Sequence, residues 1–167
     1  MIVQRSALVA QPAGHLYDLI EAAENYPLFL PWCAGATILE RSDTVVAAEL
    51  RIAYGGMHFS VRTRNAKRRP EAMTIHLESG PFRRFEGLWT LTALTPAACK
   101  VEFRLDWEFE TALLTRAAGP AFRRVADTLV DAFVRRAIEF PAAAGNMGAA
   151  ACAAPSDATA PTEPIKA

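Results

Sequence analysis

The sequence predicts an α+β fold in which a seven-stranded antiparallel sheet wraps around one long C-terminal helix. Residues 113–138 place apolar side chains three and four positions apart, which is the repeat of one helix face. Residues 99–109 alternate apolar and charged side chains, as a strand with one face in water does. Short strands with hairpin-length links precede them, which favours an antiparallel meander. The predicted inner stripe of the helix consists of Leu114, Ala117, Ala121, Val125, Leu129, Phe133 and Ala137.

The first predicted elements are a strand over residues 2–9 and a helix that begins near Pro12. A second proline, Pro27, restricts Tyr26 to extended conformations, so helical order should fade before it. The segment YPLFLPWC (26–33) is unusually apolar for a connection. It either plugs the end of the sheet or forms the rim of an opening.

Five strands follow before the one at 99–109. We expect one of them to turn Tyr54 inward and to end at Gly55-Gly56, which suits a tight hairpin turn. Gly87 lies on a predicted inward face, where an interior glycine marks a bend or a close approach. The expected strands span residues 36–41, 44–54, 57–64, 73–77 and 85–93.

The first half of the long helix is rich in small residues between positions 117 and 121. They indicate either close contact with the sheet or unfilled space between the two layers. Within this stretch Gly119-Pro120 predicts a bend, because a proline inside a helix loses one backbone hydrogen bond and clashes with a preceding carbonyl.

The length of 167 residues suits one domain with a real core. We predict that residues 1–140 form this domain. Residues 141–167 are mostly Ala, Pro, Gly, Thr and Ser. Such a composition does not bury enough apolar surface to offset the entropy of ordering, so we predict a disordered tail.

The chain carries 18 basic and 18 acidic residues, and its formal net charge is zero. A general positive field that would attract nucleic acid is therefore absent, and we expect no DNA partner. Local positive charge remains at residues 67–69 (Lys-Arg-Arg) and 83–84 (Arg-Arg). These segments are either solvated loops or contacts for RNA phosphates.

Cys33, Cys99 and Cys152 are widely spaced and match neither a zinc motif nor a disulfide framework. This usage predicts a reducing, cytoplasmic environment. No apolar run approaches the 18 or so residues that a membrane span requires. We therefore expect any membrane contact, for example at the inner membrane, to be peripheral.

No motif for catalysis, phosphate binding or metal binding is found in the sequence. His15, His58 and His76 lie far apart in the sequence, and the strands predicted from alternation direct no carboxylate or histidine inward. We therefore expect binding rather than catalysis, without a cofactor, a metal or a catalytic residue. An enzyme would need polar groups in the cavity, and the candidates are Tyr54, Thr63 and Asn65.

Aromatic side chains accumulate on the inward faces of the predicted strands and helix. They form either a solid core or the lining of an elongated apolar pocket that holds a lipid or polycyclic ligand. Trp32 and its neighbours are placed at the pocket mouth, where Leu28, Phe29 and Leu30 would touch a bilayer. The predicted lining consists of Phe29, Leu30, Trp32, Phe59, Phe85, Trp89, Phe103, Trp107, Phe122, Leu129 and Phe133.

Several segments resemble one known family in the right order. They are YPLFLPWC (26–33), TRN (63–65), SGPFRRFEGLWTL (79–91), VEFRLDWEF (101–109) and AFVRRA (132–137). The family is that of the START-like ubiquinone-binding proteins, which includes the ribosome-association toxins of the RatA type and is grouped with polyketide cyclases/dehydrases. The resemblance covers residues 1–140 and implies a helix-grip fold that encloses an apolar tunnel.

The resemblance implies two functions and leaves a third open. The first is binding of ubiquinone, as a ligand rather than a cofactor, in support of respiratory electron transport. The alternative is binding of the large ribosomal subunit with a block of subunit association. A polyketide cyclase or dehydrase activity comes last. The quoted motifs are shared by the first two branches and do not choose between them.

Overall fold

The computed structural model describes residues 1–143 of the chain. A 3₁₀ helix (Ala23–Leu28) follows the first α-helix and leads into the main part of the sheet. The other elements, in chain order, are β1 (Ile2–Val9), α1 (Ala13–Glu21), β2 (Cys33–Arg41), β3 (Val45–Tyr54), β4 (Met57–Arg68), β5 (Ala72–Ser79), β6 (Phe82–Thr95), β7 (Ala98–Phe109) and α2 (Ala112–Glu139).

The seven strands form one antiparallel sheet in the order β1-β7-β6-β5-β4-β3-β2. Strands β2 to β7 are joined by successive hairpins, while β1 returns to pair with β7 at the far edge. The N-terminal ammonium extends this pairing, since it donates a hydrogen bond of 2.5 Å to the carbonyl oxygen of Trp107. This topology confirms the predicted fold class.

Helix α2 packs against the inner face of β7 and β1. Every second residue of β7 from Cys99 to Phe109 is buried, as the alternation in the sequence predicts. The helix begins at Thr111, whose side-chain oxygen accepts a hydrogen bond of 3.2 Å from the backbone N–H of Leu114. This N-cap satisfies one of the donors that a helix start leaves without a partner.

The predicted inner stripe of α2 is correct in its second half and wrong at its start. Phe133 and Ala137 are buried, whereas Ala117 is exposed and its neighbour Ala118 is buried instead. Each step of four residues rotates the side-chain direction by about 40° around the helix axis. A long run of such steps therefore moves away from the side of the helix that faces the sheet. Phe122, rather than Ala121, therefore points fully into the core.

Helix α2 continues through Pro120, whose ring lies on the exposed side. The bend predicted at that proline stays a prediction. The expectation for the segment after α1 was wrong. Tyr26 and Pro27 belong to the 3₁₀ helix rather than to extended chain. The Tyr26 hydroxyl donates a hydrogen bond of 2.5 Å to the carbonyl oxygen of Ile20, which holds this tight turn against α1.

Tyr54 at the end of β3 is 36% exposed and does not point inward as predicted. The hairpin turn at Gly55-Gly56 was predicted, and both glycines have positive φ angles, which glycine adopts without strain. No helix within residues 1–143 is long and apolar enough to cross a membrane. The predicted tail lies almost wholly in residues 144–167, which are outside the described part of the chain.

Candidate functional site

An apolar cavity of about 90 Å³ lies between the sheet and α2. Strands β3 to β7 supply one wall, α2 supplies the other, and the 3₁₀ helix closes one end. Its lining consists of Ala23, Tyr26, Trp32, Ala48, Leu50, Ile52, Val61, Thr63, Asn65, Ile75, Phe85, Trp89, Phe103, Leu105, Phe122, Val125, Ala126, Leu129 and Phe133.

Two groups of aromatic rings contribute to these walls. The Phe122 cluster comprises Phe59, Phe82, Phe85, Trp107, Phe109 and Phe122. The Phe133 cluster comprises Tyr26, Phe29, Trp89, Phe103 and Phe133. The closest ring centroids in each are 4.6 Å apart (Phe82 and Phe109) and 4.4 Å apart (Trp89 and Phe103). Each cluster is thus packed solidly, and open space remains only beside them.

The aromatic residues predicted to face inward did not include Phe82. This residue lies on β6 three positions before Phe85, so simple alternation would put the two rings on opposite faces. A register shift between Phe82 and Arg84 inserts an extra residue at this point. A β-bulge of this kind turns both rings toward the core. The phenylalanine pair separated by two arginines was the available signal in the sequence.

Seven of the eleven predicted lining residues do line the cavity: Trp32, Phe85, Trp89, Phe103, Phe122, Leu129 and Phe133. The other four do not. Trp107 is fully buried in the Phe122 cluster, and Phe59 packs within the same cluster. Phe29 lies on the outer side of Phe133, and Leu30 is buried at 1% exposure. Whether any of the eleven binds a ligand stays a prediction.

Only part of the segment that was predicted to touch a bilayer around Trp32 is exposed. Of its three flanking residues only Leu28 is largely exposed, at 69%. Leu30 is buried beneath it, and Trp32 itself lines the cavity at 6% exposure. The segment 26–33 contributes Tyr26 and Trp32 to the lining, and whether it plugs the cavity or forms its mouth stays a prediction.

The size of the cavity limits what the described conformation holds. An engineered apolar cavity of about 150 Å³ accommodates one benzene molecule. Pockets for drug-sized ligands measure about 300–1,000 Å³. A cavity of about 90 Å³ therefore has no room for a substituted ring unless α2 or the 3₁₀ helix moves outward.

Five lining residues carry polar side-chain atoms, and the indole N–H groups of Trp32 and Trp89 are two of them. Thr63 is 6% exposed, and Oδ1 of Asn65 is buried without a hydrogen-bond partner in residues 1–143. Tyr26 uses its hydroxyl to donate to Ile20, and burial holds the pKa of Tyr26 far above its ordinary range. No lining residue is a carboxylate, histidine, lysine or arginine. The third predicted polar candidate, Tyr54, does not line the cavity.

The described residues contain no group of three His, Cys, Asp or Glu side chains arranged to hold a metal ion. The Nε2 atom of His15 lies 2.7 Å from the carbonyl oxygen of Phe140, at the end of α2. His58 and His76 are exposed on the outer face of the sheet. The three histidines are thus as far apart in the fold as their spacing suggested.

The two basic segments singled out in the sequence are neutralised by acidic neighbours. Lys67 contacts Glu21 of α1 at 2.7 Å, and Arg69 pairs with Asp18 of the same helix. Arg68 lies 3.2 Å from a carboxylate oxygen of Glu71. In the second segment both arginines contact Glu108, at 3.3 Å (Arg83) and 3.4 Å (Arg84). Little uncompensated charge remains there for a polyanion.

Arginines without a carboxylate oxygen within 4.0 Å are found on the outer side of α2, where Asp127 and Asp131 are also located. We call Arg116, Arg123, Arg124 and Arg135 the arginine surface, because helical spacing puts them within about 120° of one another around the axis. Arg116, Arg124 and Arg135 have no carboxylate oxygen within 4.0 Å among residues 1–143. Arg123 shares Asp127 with Arg5, at 3.8 Å and 3.3 Å. No acidic residue occurs between positions 111 and 126.

Comparison with known proteins agrees with this architecture. Residues 9–134 match the family model described as polyketide cyclase / dehydrase and lipid transport. The ribosome association toxin RatA of Pseudomonas aeruginosa is 39% identical over 135 residues, which cover 81% of this chain and 94% of the toxin. The mitochondrial coenzyme Q-binding protein COQ10 homolog B of Xenopus laevis is 24% identical over 126 residues, or 73% of this chain and 52% of that protein.

Among solved structures, the Zhui aromatase/cyclase from Streptomyces sp. R1128 superposes with a TM-score of 0.75. The match covers 87% of this chain and 98% of the cyclase at 17% sequence identity, so it supports the fold alone. The family model and the RatA relatives each span most of the domain described above. This chain therefore belongs to the polyketide cyclase / dehydrase and lipid transport family, within which it is similar to the RatA toxins.

Proposed function

We propose that this protein binds the large ribosomal subunit and interferes with subunit association. Its RatA relatives are named ribosome association toxins. The observation that carries the proposal is the 39% identity that extends over 94% of the Pseudomonas toxin. Similarity over nearly the whole relative leaves no separate domain of that toxin without a counterpart here. The same proposal assigns no chemistry to the cavity, which suits a lining without a group that titrates near neutrality.

The contact to ribosomal RNA is assigned to the arginine surface of α2. Binding to nucleic acid releases counterions for each phosphate that a basic side chain neutralises. Arginines already paired with carboxylates contribute less, because the phosphate must displace an existing partner. Arg116 and Arg124 lack such a partner among the described residues, whereas all five residues of the two basic segments have one.

The guanidinium groups of the arginine surface also suit phosphate geometry. A guanidinium offers a planar fork of donors that binds two phosphate oxygens at once. Leu113, which precedes this surface by one turn, is 77% exposed and places an apolar side chain beside the charges. A rigid helix that presents arginines at fixed spacing loses little entropy when it binds.

The test is co-sedimentation of the purified protein with ribosomal subunits over a range of salt concentrations. We expect the wild type to pellet with large subunits at moderate salt. In R116A/R124A the affinity should fall about tenfold, and the slope of log affinity against log salt should lose about two units, one per phosphate contact.

The matched control is R68A/R83A, which also removes two exposed arginines, each of them ion-paired. It should bind like the wild type. Wild-type protein that pellets with large subunits only at very low salt would contradict the ribosomal function. An equal loss in both double variants would leave the function intact and place the contact elsewhere.

A second candidate function, binding of an apolar ligand such as ubiquinone, is favoured by the cavity itself. Its lining is apolar apart from five polar groups, and two aromatic clusters border it. A lipid that leaves a bilayer gains little hydrophobic free energy, so a carrier needs only a pocket about as apolar as the membrane. The similarity to a coenzyme Q-binding protein points the same way at 24% identity.

This candidate is tested by organic extraction of protein purified from quinone-replete cells, followed by mass spectrometry. Bound quinone should be recovered, and added ubiquinone should raise the unfolding temperature by mass action. Because the cavity must widen to admit the ring, we also expect altered hydrogen exchange in α2 on binding. Repeated preparations without quinone, together with an unchanged unfolding temperature, would exclude this candidate.

A further inference from the structure

We propose that Thr63 and Asn65 form the polar end of a binding site for a small molecule with an apolar body and one hydrogen-bonding headgroup, such as a ring hydroxyl or ring carbonyl. The inference rests on the second candidate function and adds the feature of the ligand that the cavity recognises. It is independent of the ribosomal contact, which involves the opposite side of α2.

The first observation is an unsatisfied atom. Oδ1 of Asn65 is buried, and it has no hydrogen-bond partner among residues 1–143. Buried polar atoms in folded proteins are almost always paired, so an exception requires an explanation such as a ligand or an ordered water. Asn65 belongs to the cavity lining, so a rotation of its amide would bring this oxygen to a ligand in the cavity.

The second observation is the concentration of polarity at one place. Thr63 and Asn65 occupy alternate positions of β4, so both side chains project from the same face. Their neighbours across β3 are Ala48 and Val46, and Ile75 flanks Asn65 on β5. Thr63 is the one buried polar residue without an aromatic ring in the described part of the chain.

The rest of the cavity offers no free acceptor. The hydroxyl of Tyr26 already donates to the carbonyl oxygen of Ile20, and Trp32 and Trp89 carry only indole N–H donors. A ligand hydroxyl, which has a proton to donate, is therefore oriented toward β4, with the apolar body of the ligand toward the aromatic clusters. The amide of Asn65 carries both an acceptor and a donor, so it matches a hydroxyl or a carbonyl, depending on its rotation.

A pair of isosteric probes tests this inference. p-Cresol and p-xylene have nearly the same shape, but only p-cresol carries a hydroxyl. Both are substituted rings, so either one binds only if α2 or the 3₁₀ helix moves outward, and this requirement is the same for the two probes. Binding is followed by NMR chemical shifts of the methyl groups of Ala48, Thr63 and Ala126, which line the cavity. Wild type is compared with Asn65→Leu, which keeps the branched shape and the number of non-hydrogen atoms of the side chain and removes the amide.

We expect Asn65→Leu to weaken p-cresol binding about tenfold and to leave p-xylene binding unchanged or stronger. Thr63→Val should weaken p-cresol binding in the same direction. Asn65→Leu should not be less stable than the wild type, because it removes an unsatisfied buried amide, and its unfolding midpoint serves as the control for folding. This set of results would support the polar end at β4.

Two results would overturn the inference. If both probes bind and neither substitution changes their ratio, the amide contacts only water, and the ligand-binding candidate survives without the polar recognition. If neither probe shifts the cavity methyls of the wild type, the cavity binds no small aromatic molecule, and the ligand-binding candidate fails with the inference. The ribosomal proposal is unaffected by either result.

Discussion

The two sides of α2 differ in what their residues contact. On the inner side Phe122 and Phe133 each join an aromatic cluster and line the cavity. On the outer side Arg116 and Arg124 contact no carboxylate among the described residues. One helix therefore combines an inner side that packs in the core with an outer side on which Arg116 and Arg124 form no ion pair. Substitutions on the first should alter stability, and substitutions on the second should alter binding.

The same contrast separates the arginine surface from the basic segment 67–69. The segment 67–69 is a run of positive charge in the sequence, whereas the arginines of the arginine surface are spread over residues 116–135. Asp18 and Glu21 of α1, some fifty residues earlier, neutralise Arg69 and Lys67. A basic segment in the sequence therefore need not present free positive charge to a partner, because acidic residues from a distant segment can pair with it in the fold. Substitution of a paired basic residue should therefore lower the free energy of unfolding, as substitution on the inner side of α2 should.

Phe122→Ala should give the largest effect, because it empties the centre of the Phe122 cluster. Phe122 is 3% exposed, and its ring lies within 6.2 Å of five other aromatic rings. Truncation of a buried phenylalanine costs about 3–5 kcal/mol through lost transfer free energy and the cavity left behind. The free energy of unfolding, measured by urea denaturation, should fall by this amount.

The control for this substitution is Leu113→Ala on the exposed part of the same helix. Leu113 is 77% exposed, so the free energy of unfolding should change by less than about 0.5 kcal/mol. A loss below 1 kcal/mol for Phe122→Ala would show that the layers relax into the space. The distinction between the two sides of α2 would then no longer hold for stability.

Lys67→Ala should give an intermediate effect and separates paired from unpaired basic residues. The Lys67 side chain is only 7% exposed, and its ammonium contacts Glu21 at 2.7 Å and the carbonyl oxygen of Ser42 at 2.6 Å. Hydrogen bonds to charged groups contribute about 1.5–3 kcal/mol, so the free energy of unfolding should fall by about that amount.

Arg124→Ala is the comparison variant for Lys67→Ala and should change the free energy of unfolding by less than about 0.5 kcal/mol. The measurement is again urea denaturation, at neutral pH and fixed salt. Equal losses for the two variants would mean that the arginine surface also stabilises the fold. The argument that its charges remain available for a polyanion would then fail.

These contrasts also show how far the sequence could be interpreted by itself. The alternation of β7 and the periodicity of α2 predicted the two layers, because each pattern depends only on neighbouring residues. The bulge that turns Phe82 inward was not predictable from alternation, since the extra residue breaks the period of two. The ion pairs of Lys67 and Arg69 depend on where α1 packs, and α1 lies far from them in the chain.

The cavity followed the same rule. Seven of its lining residues were predicted from the faces of the strands and the helix. Its volume of about 90 Å³ was not predictable, because it depends on how closely two aromatic clusters pack. The unsatisfied oxygen of Asn65 was equally invisible, since hydrogen-bond partners are set by the fold.

Glu24→Gln should give the smallest effect and tests the paired charges at the surface. The carboxylate of Glu24 accepts two hydrogen bonds from Arg41, at 2.9 Å and 2.7 Å, and these bonds hold the pKa of Glu24 below its ordinary value of 4.5. A carboxyl whose pKa is lower in the folded state stabilises the fold above its unfolded pKa. This stabilisation is lost as pH falls through the folded pKa.

The difference in the free energy of unfolding between wild type and Glu24→Gln should therefore be constant above about pH 5.5 and should shrink below pH 4.5. Its size should stay below about 1 kcal/mol, because both side chains are 41% exposed and the pair is screened by solvent. Urea denaturation of both proteins from pH 3 to pH 7 supplies the measurement, since any other group that titrates alike in both cancels in the difference. A difference that does not vary with pH would mean that the contact with Arg41 adds nothing to the free energy of unfolding. This exposed ion pair would then contribute as little to stability as the unpaired arginines of α2.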